Sequence, residues 1–515
     1  MPIPILTPAE SAAWDEGADS AGIARATLME SAGRASAAVL AAHYGAAIGN
    51  GVLVAAGPGN NGGDGWVLAR ALHRAEVSVW VAPLAGQPSP LNSLMTDLAR
   101  AEGVREVLPD GPWPGIGLAV DAVLGTGARG EPRPAAAALL DRLRELRVPI
   151  VALDGPSGVD LGTGTVHGPA RADLSVTFGG LRRGHLLARE QVGAIVVVDI
   201  GLPPSEPSWP VLWTDAMAAG LAPSFPAGIH KGDRGRVVVV GGDAGMTGAL
   251  RLAARSAFAA GAGLVHAVAP EATVAALTAA EPDLQTFSHA FDAPPTPSLL
   301  ELIQRADAVV VGPGLGRSPA RRMFIVGLLA GARCIVLDAD ALAAFAGALP
   351  VLGELAHGRS VLLTPHPGEF RTLFPHLGAQ LDTDPWGAAE AAAAETGATV
   401  LLKGVPSVVA RTGQPILTLA AGTPGLATGG SGDVLSGLAG AALGQGMQPE
   451  HAAAFAAQAL GRAGELAARR VTARAMRPMD VIAALPDVWR AWAILRTSPP
   501  APSPPVLVEL ERPEG

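Results

Sequence analysis

The stretch at residues 57–65, "GPGNNGGDG", decides the fold of the first half of the chain. It follows the apolar run "GVLVAA", which is typical of a buried strand, and precedes "WVLARALHRA", which is typical of a helix. Its first six residues fit the pattern G-x-G-x-x-G, which between a strand and a helix predicts a nucleotide-binding turn. The loop also contains Asn60, Asn61 and Asp64, side chains that a simple phosphate-binding turn does not need.

Short apolar runs alternate with Ala-rich helical segments beyond this loop. Further candidate strands of the first half are "VSVWVA", "GLAVDAVL", "VPIVALD", "ADLSVTF" and "AIVVVDI". Those of the second half are "RVVVVGG", "GLVHAVA", "ADAVVVGPG", "CIVLDAD", "SVLLTPH", "ATVLLKG" and "PSVVA". Continuous apolar runs are typical of parallel strands buried on both faces. The predicted fold class is therefore α/β, with two doubly wound domains.

Two Pro-rich segments interrupt this alternation. The segment 201–228 is interpreted as a linker with a covering segment, and the end of the chain, from Thr497 onward, is expected to be disordered or draped over the surface. The predicted domains are residues 1–207 and 208–497, followed by a Pro-rich tail at 498–515.

Composition limits the possible partners and location. The net charge is −9 and no basic stripe is present, which argues against nucleic acid and anionic membranes as partners. The first twenty residues lack a basic region and no apolar run is long enough to span a bilayer, so we expect a cytoplasmic protein. Cys334 is the single cysteine, and we expect a buried, inert thiol.

Lysine occurs only at Lys231 and Lys403, whereas every other basic residue is arginine. A chain with this preference is expected to keep lysine where a compact ammonium group is needed, and Lys403 follows a predicted strand. For Lys231 two interpretations stay open, a phosphate contact and a solvated surface residue.

Three Gly-rich loops with carboxylates follow predicted strands of the first half, at residues 57–65, 121–132 and 154–160. Ligands of open α/β sheets bind at such carboxyl ends. The next strand lacks the acid that binds ribose in dinucleotide-dependent oxidoreductases, which argues against hydride transfer. Asn61, Asp121 and Ser157 offer oxygen ligands that suit a hard cation. The alternative is that such residues only stabilise tight turns.

The motifs "GPGNNGGDG", "DAVLGTG" and "DGPSG" resemble those of the NAD(P)H-hydrate epimerase family, over most of residues 1–205. The resemblance implies a Rossmann-like domain, a potassium ion and inversion at C6 of hydrated NADH or NADPH (NADHX, NADPHX). It implies that Asn61, Asp121 and Ser157 bind potassium and that Asp154 is catalytic. The implied substrate contacts are Asn60, Asn61, Gly62, Gly63, Asp64, Gly125, Thr126, Gly127, Ala128, Arg129, Gly130, Glu131 and Asp154. Gly155 departs from the family, which usually has a β-branched residue there.

The second half contains "HKGDRG", "GMTGA", "TPHPGEF", "LLKG" and "GSGDVLSG". In the last motif a Gly-rich turn leads into a predicted helix with Asp433 near its start. Backbone N–H groups at a helix start bind a transferring phosphoryl group, and a carboxylate there accepts a hydroxyl proton. The alternative is that Asp433 only stabilises the helix N-terminus.

These motifs resemble the ribokinase-like superfamily, and within it the ADP- or ATP-dependent NAD(P)H-hydrate dehydratases, over residues 230–485. The resemblance implies phosphorylation of the C6 hydroxyl with Asp433 as base and Mg²⁺ bound with ADP; ATP remains an open alternative. The implied nucleotide contacts are Lys403, Gly404, Val405, Pro406, Ser407 and Gly432. The implied hydrate contacts are Ala249, Gly316, His366 and Asp433.

Together the two halves resemble fused bifunctional hydrate repair enzymes, which epimerise NADHX and NADPHX and dehydrate the S epimer. A homo-oligomer is expected. The alternative is a small-molecule kinase fused to a nucleotide-sensing or scaffold domain. A kinase would accumulate a stable phosphoester, whereas a dehydratase releases inorganic phosphate.

Overall fold

The computed structural model describes residues 2–499 and 505–513, and these residues form two compact units. Unit 1 comprises the described residues up to Trp209 together with 505–513, and unit 2 comprises residues 210–499. Among the described residues, no helix combines the length and the apolar character that a membrane-spanning segment requires.

Unit 1 is built on a parallel sheet with one antiparallel edge strand. The strands of unit 1 are β1 (Ile5–Leu6), β2 (Val52–Ala56), β3 (Val79–Pro83), β4 (Arg105–Glu106), β5 (Leu118–Ala122), β6 (Ile150–Leu153), β7 (Leu174–Phe178), β8 (Leu181–Arg182), β9 (Ala194–Val198) and β20 (Val506–Leu510). Eight of them form the sheet in the order β20-β9-β7-β6-β5-β2-β3-β4, while β1 pairs with β8. The chain leaves β2 towards β3 and later returns to β5 on the other side, so the strand order reverses between β2 and β5.

Helices cover this sheet because their small apolar residues pack on its two faces. They are α1 (Pro8–Ser20), α2 (Arg25–Ile48), α3 (Asn60–Arg74), α4 (Pro90–Ala101), α5 (Pro134–Glu145), α6 (Arg183–Leu187) and α7 (Arg189–Val192). Thr7 caps α1 through a reciprocal pair of hydrogen bonds with Glu10, and Pro8 occupies the first turn, where its missing N–H costs nothing.

The C-terminal strand β20 was not predicted. Residues 506–510, "VLVEL", pair antiparallel with β9 and shield an otherwise open edge of the sheet, and Val506 packs against the unit 1 core. The Pro-rich composition around residues 506–510 predicted an irregular tail. The short apolar run within it forms a strand because it pairs with β9, which is distant in the sequence.

Unit 2 contains a ten-stranded sheet in the order β10-β19-β18-β17-β16-β15-β14-β11-β12-β13. Its strands are β10 (Val211–Leu212), β11 (Arg236–Val240), β12 (Leu264–Ala269), β13 (Gln285–Ser288), β14 (Ala308–Val311), β15 (Cys334–Leu337), β16 (Ser360–Leu363), β17 (Thr399–Leu402), β18 (Ser407–Ala410) and β19 (Leu417–Leu419). All pairs are parallel except β17–β18 and β18–β19. The order reverses between β11 and β14.

The helices of unit 2 lie on both faces of this sheet. They are α8 (Asp215–Leu221), α9 (Thr247–Ala259), α10 (Glu271–Ala280), α11 (Pro297–Gln304), α12 (Ala320–Leu329), α13 (Asp340–Ala344), α14 (Leu349–Ala356), α15 (Pro367–Leu373), α16 (Gly378–Thr383), α17 (Pro385–Thr396), α18 (Ser431–Gly444), α19 (Pro449–Val471) and α20 (Pro478–Thr497), with 3₁₀ turns at Pro375–Leu377 and Pro424–Leu426. Both units are doubly wound, so the predicted fold class is confirmed.

Every strand predicted from an apolar run is present. The segment interpreted as a linker with a covering segment supplies β10 and α8, which join unit 2. Cys334 starts β15 and is half-buried, and burial raises the pKa of its thiol, so the group stays protonated at neutral pH.

Candidate functional site

The candidate site of unit 1 is a cavity of about 530 Å³ at the carboxyl ends of β2, β5 and β6. It lies at the reversal of strand order, where open α/β sheets bind ligands. Two glycines of the first motif allow the loops to meet there: a Cβ on Gly57 would lie 1.9 Å from the Val123 carbonyl oxygen, and one on Gly62 would lie 1.8 Å from the Gly57 carbonyl oxygen. The G-x-G-x-x-G spacing therefore serves close backbone packing.

Asp154 is buried in this cavity in a conformation that side chains rarely adopt, with a φ of 62°. Its Oδ2 accepts hydrogen bonds from the backbone N–H of Thr126 at 2.8 Å and from the Thr126 hydroxyl. Arg182 Nη2 lies 3.7 Å from Oδ1. Burial opposes ionisation, but Arg182 and Thr126 outweigh it and lower the pKa of Asp154, so the group is a carboxylate at neutral pH.

His185 forms hydrogen bonds with the backbone of both Arg182 and Asp154. Its Nδ1 accepts a hydrogen bond from the Arg182 N–H at 2.9 Å, so Nε2 carries the proton and donates it to the Asp154 carbonyl oxygen. Burial lowers the pKa of His185 to about 4, which keeps the ring neutral. His185 thus positions Asp154 and Arg182.

Asp64 lines the same cavity, and the pKa of its carboxyl group is shifted in the opposite direction from that of Asp154. Burial, and then the negative charges of Asp154 and Asp15, raise the pKa of Asp64 well above its ordinary value. The cavity therefore favours the protonated form of Asp64 and the ionised form of Asp154. Two carboxyl groups whose pKa values are driven apart in one cavity are candidates for an acid and a base.

The three predicted potassium ligands lie close together at this cavity, around the backbone of Leu124. Ser157 donates a hydrogen bond from its hydroxyl to Asp121 Oδ1 at 2.6 Å and from its backbone N–H to Oδ2 at 2.7 Å. Asn61 donates from Nδ2 to the Leu124 carbonyl oxygen at 2.8 Å, which leaves its buried Oδ1 without a hydrogen-bond partner among the described residues. Burial raises the pKa of Asp121, an effect that a nearby cation would offset. An unpaired amide oxygen beside a buried carboxylate fits a hard cation.

Most of the predicted substrate residues of unit 1 line the cavity. These are Asn60, Asn61, Asp64, Gly125, Thr126, Gly127, Ala128 and Asp154. Gly62 and Gly63 are buried against the neighbouring loop and α4, and Arg129, Gly130 and Glu131 are exposed and do not line the cavity.

In unit 2 the candidate site is organised around Asp338, a fully buried carboxylate at the end of β15. Its Oδ1 accepts hydrogen bonds from Lys403 Nζ at 2.9 Å and Thr364 Oγ1 at 2.8 Å, and Oδ2 accepts one from Ser436 Oγ at 2.5 Å. Ser436 belongs to α18, so these bonds fix the start of that helix to the ends of β15, β16 and β17. All three partners are donors, so both oxygens of Asp338 act as acceptors.

Lys403 contacts protein carboxylates on two sides. Glu369 Oε2 lies 3.7 Å from Nζ, in addition to Asp338. Burial opposes the charge, but Asp338 and Glu369 raise the pKa of Lys403 above its ordinary value. A Cβ on Gly432 would lie 3.4 Å from Nζ, so the helix start approaches the ammonium group closely.

Asp433 follows in the first turn of α18 and is partly buried. Burial and the like charge of Asp338 raise the pKa of Asp433 to about 7, with Lys403 acting in the opposite direction. A carboxylate with this pKa accepts or releases a proton near neutral pH, as a general base requires.

The predicted hydrate contacts of unit 2 lie on separate elements: Ala249 in α9, Asp433 in α18, and Gly316 and His366 in loops. The Gly316 N–H donates to Asp340 Oδ2 at 3.0 Å, and a Cβ on Gly314 would lie 3.3 Å from that of Ala249. His366 caps α15: its Nδ1 accepts hydrogen bonds from the N–H groups of Gly368 and Glu369.

The predicted nucleotide segment forms the turn between β17 and β18. Within it, the Ser407 hydroxyl donates to the Gly404 carbonyl oxygen at 3.1 Å, and Val405 is 75% exposed. Gly404 and Pro406 complete the turn, while Gly432 lies at the start of α18. Lys231 is exposed in the loop before β11.

Sequence reasoning missed several residues that organise both sites. They are Arg182 and His185 in unit 1, and Asp338, Thr364, Glu369 and Ser436 in unit 2. Asp338 and Thr364 directly follow predicted strands, in "CIVLD" and "SVLLT", and Arg182 follows soon after the strand in "VTFGGLRR". Glu369 and Ser436 lie within the motifs "TPHPGEF" and "GSGDVLSG". His185 carries no such signal.

Comparisons with known proteins cover both units. Residues 237–487 match the family described as NAD(P)H-hydrate dehydratase, and residues 25–184 match the one described as YjeF-related protein N-terminus. The chain is 35% identical over 480 residues to the bifunctional NAD(P)H-hydrate repair enzyme Nnr of Escherichia coli, covering 91% of this chain and 90% of that one. It is 37% identical over 533 residues to the protein of the same name from Salinibacter ruber, covering 94% and 96%.

Among solved structures, the ADP/ATP-dependent NAD(P)H-hydrate dehydratase of Bacillus subtilis, co-crystallized with ATP/Mg²⁺, is 25% identical, with a TM-score of 0.48 over 55% of this chain and 98% of that one. The family matches fall on both units, and the similarity to the bacterial enzymes extends over most of the chain. The chain therefore belongs to the family of bifunctional NAD(P)H-hydrate repair enzymes.

Proposed function

We propose that unit 1 inverts C6 of NADHX and NADPHX through Asp64 and Asp154, and that unit 2 dehydrates the S epimer through Asp433 with ADP as phosphoryl donor. The observation that carries the first assignment is the pair of carboxyl groups in one cavity whose pKa values are shifted in opposite directions. The second rests on Asp433 at the start of α18, next to the Asp338–Lys403 pair.

In unit 1 the lone pair of the substrate's ring nitrogen expels the C6 hydroxyl. Asp64 donates its proton to the departing oxygen, and water leaves a ring cation behind. Water then adds to the opposite face of C6 and gives its extra proton to Asp154. The reverse direction uses the two carboxyl groups in exchanged roles, since Asp154 is then protonated and Asp64 is ionised. Whenever Asp154 is ionised, the positive charge of Arg182 balances its negative charge.

We propose potassium as the cation beside this cavity, held by Asn61 Oδ1, Asp121 and Ser157. When bound, the ion supplies positive charge next to the reacting ring and fixes the loops that carry Thr126 and Asp154. The Asn61 oxygen supports this assignment, because a buried amide oxygen without a partner is costly.

In unit 2 Asp433 accepts the proton of the C6 hydroxyl. The oxygen of that hydroxyl attacks the terminal phosphorus of ADP, and AMP departs. The phosphate then leaves C6 as C5 loses a proton, which restores the dihydronicotinamide ring. Backbone N–H groups at the start of α18 face the transferring phosphoryl group.

Mg²⁺ is proposed to enter with ADP, held by the nucleotide's phosphates and the nearby carboxylates. The donor set fits: the charges of Asp338, Asp340 and Glu369 all raise the pKa of Asp433, against the single positive charge of Lys403. A divalent ion would offset this excess of negative charge and so favour the ionised form of Asp433.

The decisive experiment mixes the purified protein with NADHX, Mg²⁺ and either ADP or ATP. We expect recovery of the dihydronicotinamide absorbance with one equivalent of inorganic phosphate per NADH, and no recovery without nucleotide. The two nucleotides are compared at equal concentration to identify the donor. A stable phosphorylated product without phosphate release would instead show the alternative, a small-molecule kinase.

A further inference from the structure

A cavity of about 300 Å³ lies in unit 2 where the C-terminal end of α9 meets α19, α20 and the segment after α8. Five of its thirteen lining residues are aromatic, although aromatic residues make up only 4% of the chain. They are Phe225, Phe258, Phe455, Trp489 and Trp492. The share of aromatic residues around this cavity is therefore far higher than in the chain as a whole.

The rings form an ordered wall. Phe455 and Trp489 stack with their centroids 5.5 Å apart and their planes 4° apart, and Trp492 meets Phe455 edge-on at 5.2 Å. Phe225 on the rim is 47% exposed, whereas a ring that served only the core would be covered. The indole N–H groups are already paired, Trp489 with the Ala259 carbonyl oxygen and Trp492 with Asp215. Phe455 and Trp492 are almost fully buried, so they mainly support the wall. The ring surface that the wall offers to the cavity comes from the partly exposed Phe225, Phe258 and Trp489, with no free indole donor.

The only charged residues that line the cavity are Arg234 and Arg496. The Arg234 guanidinium lies 4.6 Å from the centroid of the Phe225 ring and donates to the Gly261 carbonyl oxygen. Arg496 donates to the Ala222 carbonyl oxygen. Within residues 2–499 and 505–513 neither forms an ion pair with a carboxylate. Each guanidinium has five N–H donors, so both retain donors for an anion.

This cavity is separate from the candidate phosphoryl-transfer site. Helix α9 runs from Thr247, near the predicted hydrate contact Ala249, to Ala259 in the wall of the cavity. Ten residues of α-helix separate Ala249 from Ala259, a distance of about 15 Å at 1.5 Å per residue.

We infer that the cavity is a second ligand site, which binds a small planar aromatic carboxylate with its ring against the aromatic wall and its carboxylate on Arg234 and Arg496. The volume suits a ligand of one or two rings, because small-molecule sites begin at about 300 Å³. Stacking on the rings supplies affinity, and the two arginines select an anion over a neutral or cationic analogue.

The test is a fluorine NMR titration of the full-length protein with fluoroindole-acetate, in saturating ADP and Mg²⁺ to occupy the nucleotide site. The neutral amide and the corresponding amine serve as probes of similar shape and different charge. We expect the carboxylate to bind at least tenfold more tightly than the amide, and the amine not to bind. Arg234→Gln and Arg496→Gln should each weaken the carboxylate by roughly tenfold, as for loss of one charge-assisted contact.

Two further variants separate this site from general surface binding. Ala493→Leu places a larger side chain on the exposed rim while keeping both arginines, and should abolish binding without loss of stability. Arg490→Gln, on the exposed face of the same helix, should leave affinity unchanged. Each of four results would overturn the inference. They are equal affinity for the carboxylate and the amide, binding that survives Ala493→Leu, displacement of the probe by ADP, and absence of binding at millimolar concentrations of the probe.

Discussion

At the scale of single residues, Asp433 shows how surroundings set chemistry. An exposed aspartate is fully ionised at neutral pH, but burial and the carboxylate of Asp338 raise the pKa of Asp433 to about 7. A general base acts only when ionised. The kcat/KM for dehydration should therefore fall as the pH drops below about 7, because the proton that Asp433 must accept is then already present.

A variant that removes a neighbouring negative charge tests this cause directly. Asp340 is among the carboxylates that raise the pKa of Asp433, so Asp340→Asn should move the acidic limb of the kcat/KM profile to lower pH. Asp382→Asn removes an exposed carboxylate that pairs with Arg371, and should leave the profile in place. A limb that stays near pH 7 in Asp340→Asn would show that another group controls the rate.

The unpaired oxygen of Asn61 leads to a second prediction at this scale. Asn61→Ala removes that oxygen, so the potassium concentration needed for half-maximal epimerisation should rise at least tenfold. The measurement is the epimerisation rate against potassium, with a bulky organic cation holding the ionic strength constant. The neighbouring Asn60 accepts a hydrogen bond from Ser89 through its own amide oxygen, so Asn60→Ala should keep the potassium midpoint. Full epimerisation in the organic cation alone would contradict a cation site.

At the scale of elements, the contact between α9 and α18 supports the second site. Gly437 lies in the middle of α18, and a Cβ there would lie 2.0 Å from the Ala253 carbonyl oxygen of α9. The two helices approach this closely because the position lacks a side chain. The same contact positions the start of α18, where Asp433 lies.

We expect Gly437→Ala to lower the free energy of unfolding by about 1–3 kcal/mol or more, as in overpacked cores, because the two helices must separate. Urea unfolding measures the change. Gly353→Ala is the matched control: Gly353 is helical in α14 and its Cβ would meet only the Thr396 carbonyl oxygen at 3.9 Å. That change should raise stability by up to about 1 kcal/mol through helix propensity. Equal effects of the two substitutions would contradict the packing argument.

At the scale of the whole molecule, two sites with different chemistry act on one substrate. In the mechanism that we propose, the hydroxyl faces both Asp433 and the nucleotide phosphorus, so we expect unit 2 to accept one C6 epimer. Epimerisation requires no nucleotide, since the acid–base pair of unit 1 and the ring nitrogen suffice. The two activities should therefore separate in variants of the intact chain.

Asp433→Asn should stop NADH recovery while the epimers still interconvert without ADP. Asp154→Ala should consume one epimer at the normal rate and leave the other to slow spontaneous inversion. Each loss should reach roughly 10²–10⁴-fold, the usual contribution of an acid–base group. Chromatography that resolves the epimers over time is the measurement. If Asp154→Ala still consumes both epimers at the wild-type rate, unit 1 is not the epimerase.

The sequence by itself determined the α/β class, all the strands that were predicted and the loops that carry both sites. Buried parallel strands require continuous apolar runs, so they can be recognised locally in stretches such as "GVLVAA". Close packing of loops requires glycine, so such loops can be recognised by residues such as Gly57. The strand β20 in the tail has only a weak signal in the sequence, because its five residues form a strand only when they pair with β9.

Protonation states and distant partners were decided by the tertiary structure alone. In the sequence Asp64, Asp154, Asp338 and Asp433 are four similar residues that lie in glycine-rich loops or directly after apolar runs. In the fold Arg182 lowers the pKa of Asp154, burial raises that of Asp64, and three donors from separate elements bind Asp338. Such differences arise from burial and from charges far apart in the chain, and neither has a local signature in the sequence.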